Sequence, residues 1–314
     1  MARFLLRRTA QSLGVLIGVT FVVFLLIQFV PGDPVRLALG TRYDQATYEA
    51  LRERSGLDRP LPVQYLTYLT NALTGDLGVS FRTGQPVTAT LLERLPATVS
   101  LAVGAILVAI VIALPLGMIS ALRNGSAIDH GARVFSQFGV SVPDFWMGIL
   151  LILLLSGVLG WLPPSGYTPF SESPSGWFEH LVLPAVTIGL VSASILTRFV
   201  RSSVLEQMSR DHVRTARAKG LSGRLLVQRH VLRNALVPIV TVAGVQLASL
   251  LGGVIVVEVL FAWPGLGLLT FDAVEARDYP VMQGAVLLVA GLFLLINLLV
   301  DVLYAFLDPR IGYQ

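Results

Sequence analysis

The chain has 314 residues, 54% of them apolar and only 13% charged, whereas an average soluble chain is about 25% charged. That excludes an ordinary soluble domain, and the absence of cysteine rules out disulfides, Cys-ligated metals and thiol catalysis. The net charge of +4 gathers in one loop, so it reports topology rather than nucleic-acid binding.

Arg3, Arg7 and Arg8 precede an uncharged run from Thr9 to Gly32. The run is about 22 residues, long enough to span a bilayer and longer than the 7–15-residue apolar region of a signal peptide. It reads as a retained first helix with its N-terminus inside, ended by Pro31-Gly32-Asp33-Pro34. From Asp33 to Arg94 the chain is polar, with seven Arg offset by seven acids. It is assigned outside, because loops of this length translocate largely regardless of charge. Within it, Thr74 to Val87 (TGDLGVSFRTGQPV) is Gly-rich and turn-prone. By its residues alone that stretch is a surface loop without a specific partner.

Leu95 to Leu122 predicts a second span bent at Pro115, and Arg123 to Arg133 a short inside turn. A third span covers about Val134 to Leu159 and contains Pro143-Asp144-Phe145-Trp146. Asp144 carries two readings. An ionisable group in an apolar segment defaults to lining a pathway or gate. Alternatively Pro143 breaks the segment, an interfacial helix precedes it, and Asp144 caps the true span at headgroup level. The second is favoured. Trp161 to His180 is an external loop, and His180 to Thr197 a fourth span.

Pro238 opens a fifth span running to about Val257. Glu258 follows at the outer interface, where it snorkels or joins Asp144 as a pathway candidate, and Trp263 suits an interfacial aromatic belt. Gly244, Gly252 and Gly253 let neighbouring helices approach. Tyr279 to Val300 is the sixth span, with Asp301 and the tail from Leu307 to Tyr313 inside. Six spans make an all-α integral membrane protein with both termini in the cytoplasm. The resulting division is residues 1–94 (first helix and external loop), 95–305 (the main transmembrane domain) and 306–314 (tail).

Between spans four and five, Arg198 to Pro238 holds nine basic residues against Glu206 and Asp211. A charge at a bilayer centre costs about 2.5–3.5 kcal/mol, so this block is a loop, and its Lys/Arg excess places it in the cytoplasm. From about Leu205 to Lys219 it suits a helix, with Arg210, Arg214 and Arg217 on one face. Gly220 stops that helix and Ser222 caps a second one leading to Pro238. Thr215, Ala216 and Ala218 are small enough to let another surface approach. The result is a helix–Gly–helix elbow with the form of a docking handle, although a solvated topogenic loop would share its composition.

The order Arg214-Thr215-Ala216, Gly220 and Leu236-Val237-Pro238 resembles the cytoplasmic signature loop of ABC-importer permeases. That loop begins Glu-Ala-Ala in the family at large. Arg214, Thr215 and the longer spacer before Pro238 depart from it, in the manner of the peptide-permease branch. Further pieces occur in the same order: PGDP, DLGVSFRTG, RLPAT, VPDFW, EVLFAWPGLG, RDYP and DVLYAFLDPRIGY. The resemblance implies the type I ABC-importer transmembrane fold and the B-type permease of a dipeptide, oligopeptide or nickel importer in a prokaryotic plasma membrane. It also implies a second, homologous permease, two ATP-binding subunits carrying ATP and Mg, and an external substrate-binding protein. Asp211, Arg214, Thr215, Ala216 and Gly220 would couple to the ATPase, and the chain itself would hold no cofactor.

The residues agree with a non-catalytic role. The one lysine, Lys219, precedes Gly220, so the Gly-Lys-Ser/Thr of a phosphate-binding loop is absent. The histidines (His130, His180, His212, His230) form no His-Glu-x-x-His motif, which disfavours a membrane hydrolase. The rival function is an ion-coupled secondary transporter or channel. It predicts several buried ionisable groups or repeated halves, against only Asp144 and Glu258 and no evident repeat here.

Overall fold

A computed structural model describes residues 2–29, 32–40, 43–54 and 56–307. The tail expected inside, from Asp308 onward, and Pro31 of the first helix stop lie outside these residues. Among them the chain is helical apart from turns and one isolated β-bridge, Val79 with Pro86. The helices are α1 (Ala2–Gln28), α2 (Pro34–Leu39), α3 (Gln45–Arg54), α4 (Leu61–Leu73), α5 (Val87–Leu122), α6 (Ala127–Ser141) and α7 (Asp144–Leu151). Then follow α8 (Pro174–Ser209), α9 (Asp211–Ala218), α10 (Gly223–Leu226), α11 (Arg233–Gly253), α12 (Ile255–Leu260), α13 (Leu266–Glu275) and α14 (Tyr279–Leu307). Short π-helical stretches extend α7 over Ile152–Val158 and join α10 to α11 over Val227–Leu232.

Five helical stretches are long and apolar enough to cross a membrane, and α6 with α7, a pair bent by 107°, makes a sixth if it counts as one broken span. Five of the expected six spans stand as continuous helical stretches, the third corresponds to the bent pair, and the bounds shift. The second starts at Val87 rather than Leu95 and runs through Pro115, and the fourth covers Pro174–Ser209. The inside turn expected as far as Arg133 has become the start of α6, which Ser126 caps by accepting from the Asp129 amide. Pro238 does not open the fifth span. It lies inside a helix that begins at Gly223, because Val231, Ala235 and Ile239 bury one face against the bundle and hold the backbone helical across the proline.

α5 and α8 form the spine. α5 buries Ala97, Leu101, Ala105, Ala109, Ala113, Gly117 and Ala121, one small or apolar residue every four positions. α8 answers with Ala185, Gly189, Ala193 and Thr197. Ridges of period four interlock when both helices present them, and small side chains let the backbones close. The fit is tight: a Cβ at Gly117 would stand 2.7 Å from Val200, and one at Gly189 2.7 Å from Val108. Of the glycines expected to permit close packing, Gly244 leaves no room for a Cβ beside Val300, whereas Gly252 makes only ordinary contact.

Candidate functional site

At the basic end of the spine the elbow differs in detail from expectation. The helix expected over Leu205–Lys219 is two helices. α8 ends at Ser209, Arg210 turns to extended backbone at φ −72°, ψ 148°, and α9 begins at Asp211. Arg210 is therefore not on the α9 face with Arg214 and Arg217; it pairs backward with Glu206. The break relieves a conflict. Val200 and Val204 of α8 and Val213 and Ala216 of α9 all reach one core, which a straight helix through Arg210 could not serve.

α9 is an eight-residue amphipathic helix lying on that core. Val213 and Ala216 face inward beside Leu226 and Val231, while Asp211, Arg214, Thr215, Arg217 and Lys219 face out. Asp211 and Arg214 are 96% and 73% exposed, and their 3.6 Å pair is worth little there. Ala216, expected to admit an approaching surface, instead seats the helix on its own bundle. Gly220 ends α9 at φ +82°, the left-handed region that suits glycine, and a Cβ placed there would meet no atom within 4 Å. Ser222 precedes the next helix in extended conformation without a side-chain capping bond.

Arg201, counted among the loop's cations, is committed elsewhere. Its Nε and Nη2 donate to the fully buried Asp129 at 2.6 and 3.1 Å. The same carboxylate accepts from Ser120 Oγ at 2.7 Å and from the Gly125 amide at 3.0 Å. Asp129 thus ties the α5–α6 turn to α8, about two helical turns before the elbow. Nothing in the charge pattern separated it from an ordinary turn acid; the signal was an Asp beside a Ser N-cap with an excess of Arg on the facing helix.

Asp144 is the first residue of α7, half-buried just past Pro143 and the 107° bend, with Phe145 and Trp146 exposed. The helix does start after a proline break, where a carboxylate suits the positive end of the helix dipole, but Pro143 rather than Asp144 holds the cap position and no side chain caps the helix. Asp144 does not line the cavity that Glu258 borders.

Glu258 does not snorkel. It is 0% exposed, with one carboxylate oxygen accepting from Thr98 Oγ1 at 2.7 Å and the other from the Leu268 amide at 2.9 Å. Thr98 in turn accepts from the Leu266 amide at 2.7 Å. Gly265 and Gly267 stand so close that a Cβ on either would strike the carboxylate. Trp263, expected in an interfacial belt, is also fully buried. Its Nε1 donates to the Ala97 carbonyl at 2.8 Å, and Tyr167 meets its ring edge-on. Both departures have one cause. The positive φ of Ala262 folds the segment after α12 back onto α5, which turns Glu258 and Trp263 inward. The carboxylate lines a cavity of about 250 Å³ bordered by α11, α13 and α14.

A third buried carboxylate, Asp278, accepts from Ser80 Oγ and from the Phe81 amide at 3.1 Å. It joins the SFRTG turn to the turn before α14, two motifs that residue order alone does not link. Among the described residues, no three His, Asp or Glu side chains converge as metal ligands would.

The described helices thus form a membrane-length bundle whose buried carboxylates brace turns, with a short amphipathic helix exposed beyond its basic end. The chain belongs to the family of binding-protein-dependent transport system inner membrane components: the family model matches residues 113–313, and its N-terminal companion matches 1–102. It is therefore a multi-pass inner-membrane protein of a system that works with ATPase and substrate-binding partners. A Brucella abortus protein provisionally named as a peptide transport system permease is 44% identical over 314 residues, with 100% of each chain covered. The di/tripeptide transport system permease protein DppB of Pseudomonas aeruginosa is 41% identical over 335 residues, again with full coverage of both. Among solved structures, the MetNI methionine ABC transporter in inward-facing form gives a TM-score of 0.57 at 20% identity, covering 69% of this chain and 96% of that one. This last likeness supports the ABC-importer transmembrane fold.

Proposed function

We propose that the chain is the permease subunit of an ATP-driven importer of di- and oligopeptides, coupled to separate ATPase subunits through α9. The names of full-length relatives support the peptide class. The observation that carries the coupling role is the two-faced build of α9: Val213 and Ala216 pin it to the bundle, while Asp211, Arg214 and Thr215 stand exposed to a partner. A force on the outer face reaches α8 through the inner one, because packed cores move as units rather than deform. In this reading the chain pairs with a second, homologous permease over two ATPases, which handle ATP and Mg. An external binding protein delivers cargo, and both termini lie in the cytoplasm with the elbow. The chain itself hydrolyses nothing and holds no cofactor.

The cysteine-free sequence makes the test direct. Thr215→Cys in the reconstituted complex is expected to cross-link to an ATPase subunit. Gly220→Pro, incompatible with φ +82°, is expected to leave insertion and assembly intact while ATP hydrolysis no longer drives uptake. Wild-type uptake by Gly220→Pro together with no cross-link at position 215 would overturn the coupling role.

A further inference from the structure

The segment between α1 and α5 reads as a polar outer loop, yet α4 within it has no charged residue and, along its 13 residues, no buried one. Leu61, Val63, Leu66 and Leu73 are all exposed, Leu66 by 60% and Leu73 by 87%. In water such a face would be an apolar surface with nothing to cover it. Its depth beside the spans identifies what does.

Tyr65 of α4 donates its hydroxyl to the Ile17 carbonyl at 3.0 Å and lies 3.1 Å from Thr20 Oγ1. Its ring meets Phe21 and Phe24 with centroids 5.3 and 5.4 Å apart. Phe24 and Phe21 stand five and eight residues before Phe29, so at 1.5 Å per residue the Tyr65 ring is about 8–12 Å below the outer end of α1. Ile17 is nine residues from Arg8, or about 14 Å, close to half of a 30 Å hydrocarbon core. Arg8 pairs with Asp301 at the opposite end of α1 and α14, which anchors that scale. α14 gives an independent measure: Tyr68 reaches the Gln283 carbonyl, four residues into that helix rather than at its tip. Both spans therefore set α4 below their outer ends, beside the exposed Ile17, Phe21 and Leu26.

We infer that α4 lies within the outer leaflet, its Leu66 face against lipid acyl chains and its Tyr65 and Tyr68 hydroxyls linking it to α1 and α14 beside a pocket of about 410 Å³. An uncharged helix with an aromatic, hydroxyl-bearing inner side suits that position, since Tyr hydroxyls find partners on helix carbonyls where water is absent. The helix of residues 61–73 is then a membrane-embedded element rather than part of an aqueous domain.

The test uses Leu66→Cys in the whole importer reconstituted in vesicles, with Glu53→Cys on α3 as the aqueous reference. Labelling of position 66 by a membrane-impermeant maleimide is expected to be at least about tenfold slower than at position 53, because the reactive thiolate is suppressed in apolar surroundings. A bimane attached there before reconstitution is expected to be quenched by lipids carrying a nitroxide on the acyl chain. Labelling as fast as at position 53 would overturn the inference in favour of an aqueous helix. Slow labelling without lipid quenching would overturn it in favour of a face covered by another protein subunit.

Discussion

Replacing Glu258 by alanine tests the correction the fold makes most sharply, from an interfacial side chain to a buried brace. Its carboxylate accepts from Thr98 Oγ1 at 2.7 Å and from the Leu268 amide at 2.9 Å. Alanine strands both donors in a site closed on the other side by Gly265 and Gly267. A buried donor left without an acceptor costs about 1–3 kcal/mol, so two cost roughly 2–6 kcal/mol before any cavity forms. At about 2 °C per kcal/mol, the slope suited to a long chain, a loss of about 4 kcal/mol lowers the melting temperature of the detergent-solubilised protein by about 8 °C. Glu258→Gln keeps the volume and one acceptor but turns an amide N–H₂ toward the second donor, and is expected to lose about half as much. Thr98→Val removes the same bond from the other side, so the double variant is expected to fall short of additivity by about 1 kcal/mol or more. A Glu258→Ala melt within about 1 °C of wild type would refute the buried brace, because an exposed carboxylate contributes only tenths of a kcal/mol.

Two further outcomes rest on the other carboxylates. Arg201→Met removes the principal partner of the fully buried Asp129 and is expected to cost about 3 kcal/mol, the lower part of the range for a broken buried pair because Arg201 is 22% exposed. The double variant with Asp129→Asn is expected to recover part of that loss in the same thermal melt; a double variant no better than Arg201→Met would count against a charge-based tie. Asp144→Asn is expected to keep uptake by the reconstituted importer at the wild-type rate, since Asp144 makes no capping bond and its charge contributes to the helix only about 0.3–1 kcal/mol through the dipole. A collapse in uptake with normal assembly would return Asp144 to the pathway.

The dependence of these predictions on geometry marks a division between two kinds of information in the chain. Hydrophobic length and the clustering of Arg after span four are one-dimensional properties of membrane insertion, so five continuous spans, the polar elbow and the stop at Gly220 were legible from residue order. The ordered motifs likewise carried the family. The i, i+4 run of Ala and Gly on α5 and α8 is equally present in residue order and marks the spine.

Which polar group faces what was not legible, because that depends on where distant turns fold back. Glu258 and Trp263 have the spacing of an interfacial segment, and only the reversal at Ala262 sends them under α5. Arg201 has the sequence context of a free topogenic cation until the α5–α6 turn brings Asp129 to it. Ala216 looks like an open approach until burial of Val213 beside it turns the pair inward. Residue order by itself determined that this chain crosses a membrane and offers a basic elbow, since solvation acts on each segment separately. Tertiary structure alone decided which charges brace the bundle and which remain exposed, since a buried ion pair or hydrogen bond exists only once two remote segments have met.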